Sequence, residues 1–263
     1  MPSVTAGKPN NSGFRLQRPP IVEVACGFEF APLAALDALQ LGRIWSEAFS
    51  AYPRAVPQAP ISEHPSVSLG PPEIRAWYVS EDDNQVVQLQ KDRLVFNWRS
   101  VEGLGYPRFR SRGDQKGVLT LALESFDRFL STWHSRGDET VRLKSLSVTK
   151  VDLLERGRHW SSIPDLVAWL PALRGFVLGA EDDPQRIDLR FDVRKHGMYQ
   201  TIVIRAGLVR DEIHQVRVET TASAAFVDDS QSELERLNAA VNQLFKTHLS
   251  ELALTQLGIE TST

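Results

Sequence analysis

The hydrophobic pattern of the chain switches between two periods, and the switches mark its elements. Residues 21–30 (IVEVACGFEF) alternate apolar and variable positions and are rich in Val, Ile and Phe, which predicts a strand entered through Pro19 and Pro20. Leu33, Leu36, Leu39, Leu41, Ile44, Trp45 and Phe49 then recur near helical spacing, and Pro53 closes that helix. Residues 53–72 hold six prolines and two charged residues, Arg54 and Glu63, which predicts an extended loop. Three short runs at 74–79, 86–90 and 94–98, separated by EDDN and KDR, predict an antiparallel meander. Val118, Leu121, Leu123, Phe126, Phe129, Leu130 and Trp133 mark a second helix ending near Gly137.

The second half repeats this order. Residues 141–154 alternate as a long strand, and Ile163, Leu166, Val167, Leu170 and Leu173 form a short helix behind the SSIPD cap signal. Ile187, Leu189, Phe191 and Val193 alternate with Asp188, Arg190, Asp192 and Arg194, KHG forms a turn, and strands at 199–208 and 213–221 complete a second meander. A single long amphipathic helix over 231–254 closes the pattern with Leu234, Leu237, Val241, Leu244, Phe245, Leu249 and Leu252. The class is therefore α+β, with two tandem β-α-β-β-β-α halves over 14–137 and 138–254 and antiparallel sheet or sheets carrying helices on one face. Residues 1–13 read as a disordered leader and 255–263 as a flexible tail. The uncovered sheet face accounts for the Asp and Arg alternation at 188–194, which can pair across strands with Arg217 and Glu219.

Composition narrows the classes without choosing among them. The 263 residues suit one large or two small domains; 42% hydrophobic and 24% charged residues are ordinary globular values. No uncharged stretch reaches the ~20 apolar residues of a membrane span. The net charge of −3 supplies no cationic field toward nucleic acid or an acidic membrane. One cysteine, Cys26, excludes an intrachain disulfide and a multi-thiolate metal site, and with no secretory leader it points to the cytoplasm. Cys26 itself reads as a small buried hydrophobe in its strand.

The run RPPIVEVACGFEF at 18–30 resembles the signature of a sporadically distributed bacterial family whose domain opens with a Pro-Pro-Ile-Val-Glu-Val strand. The similarity continues through IWSEAFSAYP at 44–53, VVQLQKDRLVFNWR at 86–99 and YPRF at 106–109, covering most of the first half. That family has no established activity and brings no catalytic residues. Its patchy occurrence implies the setting of phage-defence or toxin-antitoxin genes. The duplicated halves also resemble, in outline, the saddle of TATA-box-binding proteins, whose curved sheet grips the minor groove.

Chemistry-bearing motifs are sparse. No GxxxxGK[ST], GxSxG, HExxH or paired CxxC occurs, and the six histidines are scattered without metal-ligand spacing. Asp114 and Lys116 form a D-x-K with Asp92 upstream, but in a Gly-flanked loop where a nuclease needs a rigid strand. Glu181, Asp182 and Asp183 precede Pro184 and read as a solvated turn. The local anomaly is YPRFRSRGDQKG at 106–117. Its Arg108, Arg110, Arg112 and Lys116 against Asp114 give +3 on a chain of −3, with Tyr106 and Phe109 interleaved. Tyr106, Arg108, Arg110, Arg112 and Lys116 are thus the candidate contact residues for an anionic or acidic partner, although Arg outnumbers Lys 23 to 7 along the whole chain. No metal or cofactor is expected. The leading expectation is a non-enzymatic binding or assembly subunit of a bacterial complex, with a protein partner that an adjacent gene could encode. A nucleic-acid binder using the sheet or the basic loop, and an enzyme without a recognisable motif, are the alternatives.

Overall fold

Strand alternation in the sequence becomes alternation across one sheet. The computed structural model describes residues 15–17, 19–61, 74–102, 106, 108–135, 139–174, 186–209 and 212–260. In chain order these form β1 (Arg15–Leu16), β2 (Ile21–Phe30), α1 (Ala38–Ala48), β3 (Arg54–Gln58), β4 (Arg75–Val79), β5 (Gln85–Gln90), β6 (Arg93–Arg99) and α2 (Val118–His134). They continue as β7 (Leu143–Glu155), α3 (Ile163–Trp169), β8 (Arg186–Lys195), β9 (Met198–Val209), β10 (Glu212–Ala225), α4 (Ser230–His248), α5 (Glu251–Gln256) and β11 (Ile259–Glu260). The class is α+β, as the patterning predicts.

Nine strands make one antiparallel sheet in the order β3-β4-β5-β6-β2-β7-β10-β9-β8. The strand that opens each half therefore lies at the centre, and β2 joins β7 there with Cys26 opposite Val148 and Phe28 opposite Leu146. Those four side chains are fully buried, so they share the helix-covered face. On that face α2 packs over β2 and β6 while α4 packs over β7, β10 and β9, and the two helices touch. Phe28 stacks on Phe126 of α2 at 4.3 Å between ring centroids, and Phe30 on Phe129 at 5.6 Å. Side chains near the β2–β7 centre thus anchor the first hydrophobic cluster. A second cluster forms where α3, α4 and α5 meet β7, β10 and β9.

Local signals set the helix ends. Asp37 accepts a hydrogen bond from the Gln40 N–H at 2.8 Å, Ser162 and Asp165 close a capping box on α3, and Asp229 caps α4. The turn between β8 and β9 has His196 and Gly197 at φ +50° and +75°, the left-handed pair that a two-residue hairpin of matching twist requires.

Three expectations are corrected. The proline-rich stretch expected as a loop from 53 contains β3, because an edge strand tolerates Pro57, whose missing N–H interrupts no inner ladder. Among the described residues the first half consequently contributes five strands to the nine-stranded sheet against four from the second. The single helix expected over 231–254 breaks after His248: Leu249 turns extended and buries its side chain, and Ser250 caps a new helix by accepting from the Ala253 N–H. The tail expected to be flexible continues α5 to Gln256, buries Leu257, turns at Gly258 (φ +69°) and pairs as β11 with β1. The leader expected at 1–13 lies outside the described residues.

On the uncovered face an acid–base ladder forms, but not with the partners expected: β9 lies between β8 and β10, so Asp188 meets Arg205 of β9 and not Arg217 or Glu219 of β10. Arg205 lies 3.6 Å from Asp188 and 3.9 Å from Glu219, Arg217 lies 3.5 Å from Glu219, and Asp192 accepts from Arg190 and Thr201. Such exposed pairs are screened by solvent and add little to stability. No described helix is long and apolar enough to cross a membrane.

Cys26 is fully buried between Phe96 and Val148, and burial pushes its thiol up to about 12. A thiol-reactive reagent at neutral pH should therefore label the native protein only at its global unfolding rate, and label it at once in denaturant. Fast labelling of the folded chain would show that the β2–β7 centre opens locally.

Candidate functional site

One face of β7 departs from the apolar pattern around it. Leu146, Val148 and Leu154 point to the helices, and Lys150 and Asp152 occupy the two positions between, both buried with them. Along α4 the buried residues Leu234, Leu237, Val241 and Phe245 are interrupted in the same way by Asn238 and Asn242, one turn apart. Lys150 donates to Asn242 Oδ1 at 2.6 Å. The polar band falls at the border of the two hydrophobic clusters: Val148 and Val241 belong to the first, Leu154 and Phe245 to the second.

This band floors a cavity of about 1110 Å³ at the end of the sheet where β2 begins. Its walls are Ile21, Phe109, Val241 and Phe245, and exposed Ser100, Glu102 and Arg158 stand at its edge. Tyr106 and Arg108 line it from the loop leading into α2. The Lys150 ammonium also sits over the Phe109 ring, 5.7 Å from its centroid.

Several polar atoms here have no hydrogen-bond partner. Among the described residues, seven buried side-chain polar atoms are unpartnered. Asp152 Oδ1, Tyr106 Oη and Asn238 Oδ1 belong to residues that line the cavity, and Thr220 Oγ1 lies on the strand beside Lys150, directly across the β7–β10 ladder. The remaining three, on Arg75, Trp77 and Asn84, lie elsewhere in the first half. An unpaired buried polar atom costs ~1 to 3 kcal/mol, so the three on residues lining this cavity are a local cost to the fold.

Burial governs the ionisation of this band. It raises the Asp152 carboxyl to about 7, partly offset by the Lys150 ammonium. It lowers Lys150 to about 8, with Asp152 and then Cys26 opposing the shift. The Tyr106 hydroxyl is pushed upward, first by burial and then by Cys26 and Asp152. Both a proton donor and an acceptor are thereby available near neutral pH.

The basic loop reaches this site through only part of its length. Arg108 adopts φ +74°, a left-handed conformation unusual for arginine, and its carbonyl accepts from the Val118 N–H at 3.0 Å. Phe109 is buried. Gly117 permits this packing, since a Cβ there would stand 2.4 to 2.6 Å from the backbone of residues 109–111. Arg110 instead pairs with Glu235 at 2.6 Å, and Lys116 pairs with Glu124 at 2.6 Å. Arg112 is exposed in a turn bridged to Gln115. The structure thus groups Tyr106 and Arg108 with Lys150, Asp152, Asn238 and Asn242, while Arg110, Arg112 and Lys116 stay on the surface.

The D-x-K reading gains no support from the geometry. Asp92 is held by Gln90 and Arg93 in the β5–β6 turn, and Lys116 is engaged by Glu124. Among the described residues no group of three His, Cys, Asp or Glu side chains could hold a metal ion. Glu181, Asp182 and Asp183 lie outside the described residues. Sequence reasoning missed Lys150, Asp152, Asn238 and Asn242. The signal was present: two charged residues in the apolar phase of a strand, and two asparagines in the apolar stripe of a helix.

Compared with protein-family models, curated proteins and solved structures, the chain matches none.

Two outcomes follow for the site. Phe109→Ala should destabilise the protein by ~3 to 5 kcal/mol, whereas Arg110→Ala or Arg112→Ala should cost no more than ~1 kcal/mol in denaturant unfolding. The native Asp152 carboxyl holds its proton to about pH 7 while the unfolded one releases it near 3.8, so the native state binds the extra proton in that window. The stability of wild type relative to Asp152→Asn should therefore fall as pH rises from about 4 to about 7, then level off. A flat difference would show Asp152 ionised normally in the folded chain.

Proposed function

We propose that the protein is a non-enzymatic binding subunit whose central cavity takes up a small polar molecule. The observation that carries this reading is that Asp152, Tyr106 and Asn238, each with a buried side-chain oxygen that has no partner, line one cavity together with Lys150. A chain selected for stability alone would fill such a place with apolar side chains, since buried ion pairs are commonly less stable than hydrophobic replacements. Retaining the band is the usual mark of a site that trades stability for binding. Acting within a larger bacterial complex is compatible with this reading, and ligand uptake would then be the signal the subunit passes on.

Nucleic-acid gripping by the open sheet face is the weaker reading. Asp188, Asp192 and Glu219 occupy that face and engage its arginines. A duplex phosphate backbone would have to displace those carboxylates.

The test is a nuclear magnetic resonance screen of a chemically diverse fragment set, read at the side-chain amides of Asn238 and Asn242. Fragments should shift those amides in wild type and leave them unmoved in a Lys150→Met, Asp152→Leu double variant. The same double variant should be more stable than wild type by ~1 to 4 kcal/mol, because it replaces an imperfectly satisfied buried charge pair by apolar side chains. A screen in which no fragment moves either amide, with a double variant less stable than wild type, would make the band a structural feature only.

A further inference from the structure

The hydrogen-bonding inventory of the cavity restricts the chemistry of its occupant. Resting on the binding reading above, we propose that the occupant presents a vicinal diol, as a sugar or a ribonucleoside does, with its hydroxyls bracketed by Lys150 and Asp152. The charges come first. The lining holds three cationic side chains, Arg108, Lys150 and Arg158, and three carboxylates, Glu102, Asp152 and Glu155, so the cavity as a whole favours neither ion sign. Its floor repeats that balance with one ammonium and one carboxyl two residues apart on the same strand face, ~7 Å between their Cβ atoms.

An anionic occupant would satisfy Lys150 but lie against Asp152, with the Asn238 oxygen still lacking a donor. A cationic occupant would satisfy Asp152 and Asn238 but lie against Lys150. What the floor lacks is a group that donates and accepts at once. The Lys150 ammonium has three protons, and Asn242 takes one of them. Asp152 Oδ1 and Asn238 Oδ1 await donors, and the Tyr106 hydroxyl can serve either way. A hydroxyl placed between Lys150 and Asp152 accepts from the first and donates to the second. A neighbouring hydroxyl can donate to Asn238 while accepting from Tyr106.

The walls fit the rest of such a molecule. Phe109, Val241, Phe245 and Ile21 offer apolar surface for the C–H faces of a sugar ring or for a stacked base. The volume of about 1110 Å³ lies just above the ~300 to 1,000 Å³ of most small-molecule pockets. The occupant is therefore larger than one sugar ring: a nucleoside or a short oligosaccharide.

The experiment is calorimetric titration of the full chain with the four ribonucleosides, their 2′-deoxy counterparts and a set of disaccharides. Acetate, inorganic phosphate, putrescine and acetamide serve as probes of the other chemistries. At least one diol-bearing probe should bind; binding by a ribonucleoside with a tenfold or greater loss for its deoxy counterpart assigns the ribose diol, and binding by disaccharides alone assigns a sugar. Lys150→Met and Asp152→Asn should each weaken that probe at least tenfold, because each leaves a buried polar group unpaired. Tyr106→Phe, which removes one buried hydroxyl and keeps the ring, should weaken it severalfold and keeps the test open if either floor variant fails to fold. Lys150-dependent binding of phosphate, acetate, putrescine or acetamide without any diol probe would overturn the diol assignment and leave the binding cavity standing. Binding of no probe in either group, with Asn238 and Asn242 unmoved by fragments, would overturn both.

Discussion

The antiparallel pairing of β2 with β7 is the constraint from which the rest of the molecule follows. Each of these strands opens one half of the chain, so their pairing makes one sheet of two halves and fixes which helices can meet. The pairing is close. Gly27 faces Ser147 across it, and a Cβ at Gly27 would come within 2.4 Å of Ser147 Oγ, so a side chain there would displace that hydroxyl. One residue to either side, Cys26 and Phe28 turn to the opposite face and enter the first cluster. A single strand pair thus serves as tight seam on one face and as foundation of the core on the other. With that seam fixed, α2 and α4 lie side by side, and the space beyond the seam becomes the cavity.

The seam also explains where polar groups are tolerated. A core built from two clusters has a border, and side chains at the border can be replaced by polar ones without opening either cluster. Lys150 and Asp152 stand at this border on β7, and Asn238 and Asn242 at the matching place on α4. Taking a charge out of water costs several kcal/mol even after relaxation, and one hydrogen bond to Asn242 returns only part of it. The stacked Phe28–Phe126 and Phe30–Phe129 pairs on one side and the Trp169, Leu166 and Leu254 packing on the other supply the compensating burial.

What could be read from the sequence divides along the same line. Periodicity identified the strands at 21–30 and 187–193 and the helix beginning near Val118, where chiefly one face is buried, and short apolar runs between polar breaks identified 86–90 and 94–98, which are buried on both faces. It failed at β3, where proline content outweighed alternation, and at 248–251, where a helical phase runs unbroken through a cap that only Ser250 announces. The border residues were hidden for a different reason. A lysine or an aspartate inside an alternating strand looks like one of its solvent-facing positions until the register is known, and Lys150 and Asp152 are two residues apart, as exposed neighbours would be. Their phase, shared with Val148 and Leu154, was the available sign. The basic loop drew attention because charge is visible without register. Its arginines mostly stay at the surface, and the residues that join the site are the aromatic Tyr106 and the backbone-strained Arg108.

A polar band between two hydrophobic clusters has a mechanical consequence. The clusters are held together across the band by the β2–β7 and β7–β10 ladders and by α4, which runs from Leu234 and Leu237 in the first cluster to Phe245 in the second. An occupant that fills the cavity would add contacts to both clusters at once and give Asp152, Tyr106 and Asn238 the partners they lack. Binding of that kind stabilises the folded state by RT ln(1 + [L]/Kd), ~2.7 kcal/mol at a hundredfold excess over Kd. Because the contacts span the border, that increment is shared between the halves instead of adding to one. The half-to-half arrangement is then the property most responsive to occupancy, and α4, the helix that crosses the border, is the element placed to report it.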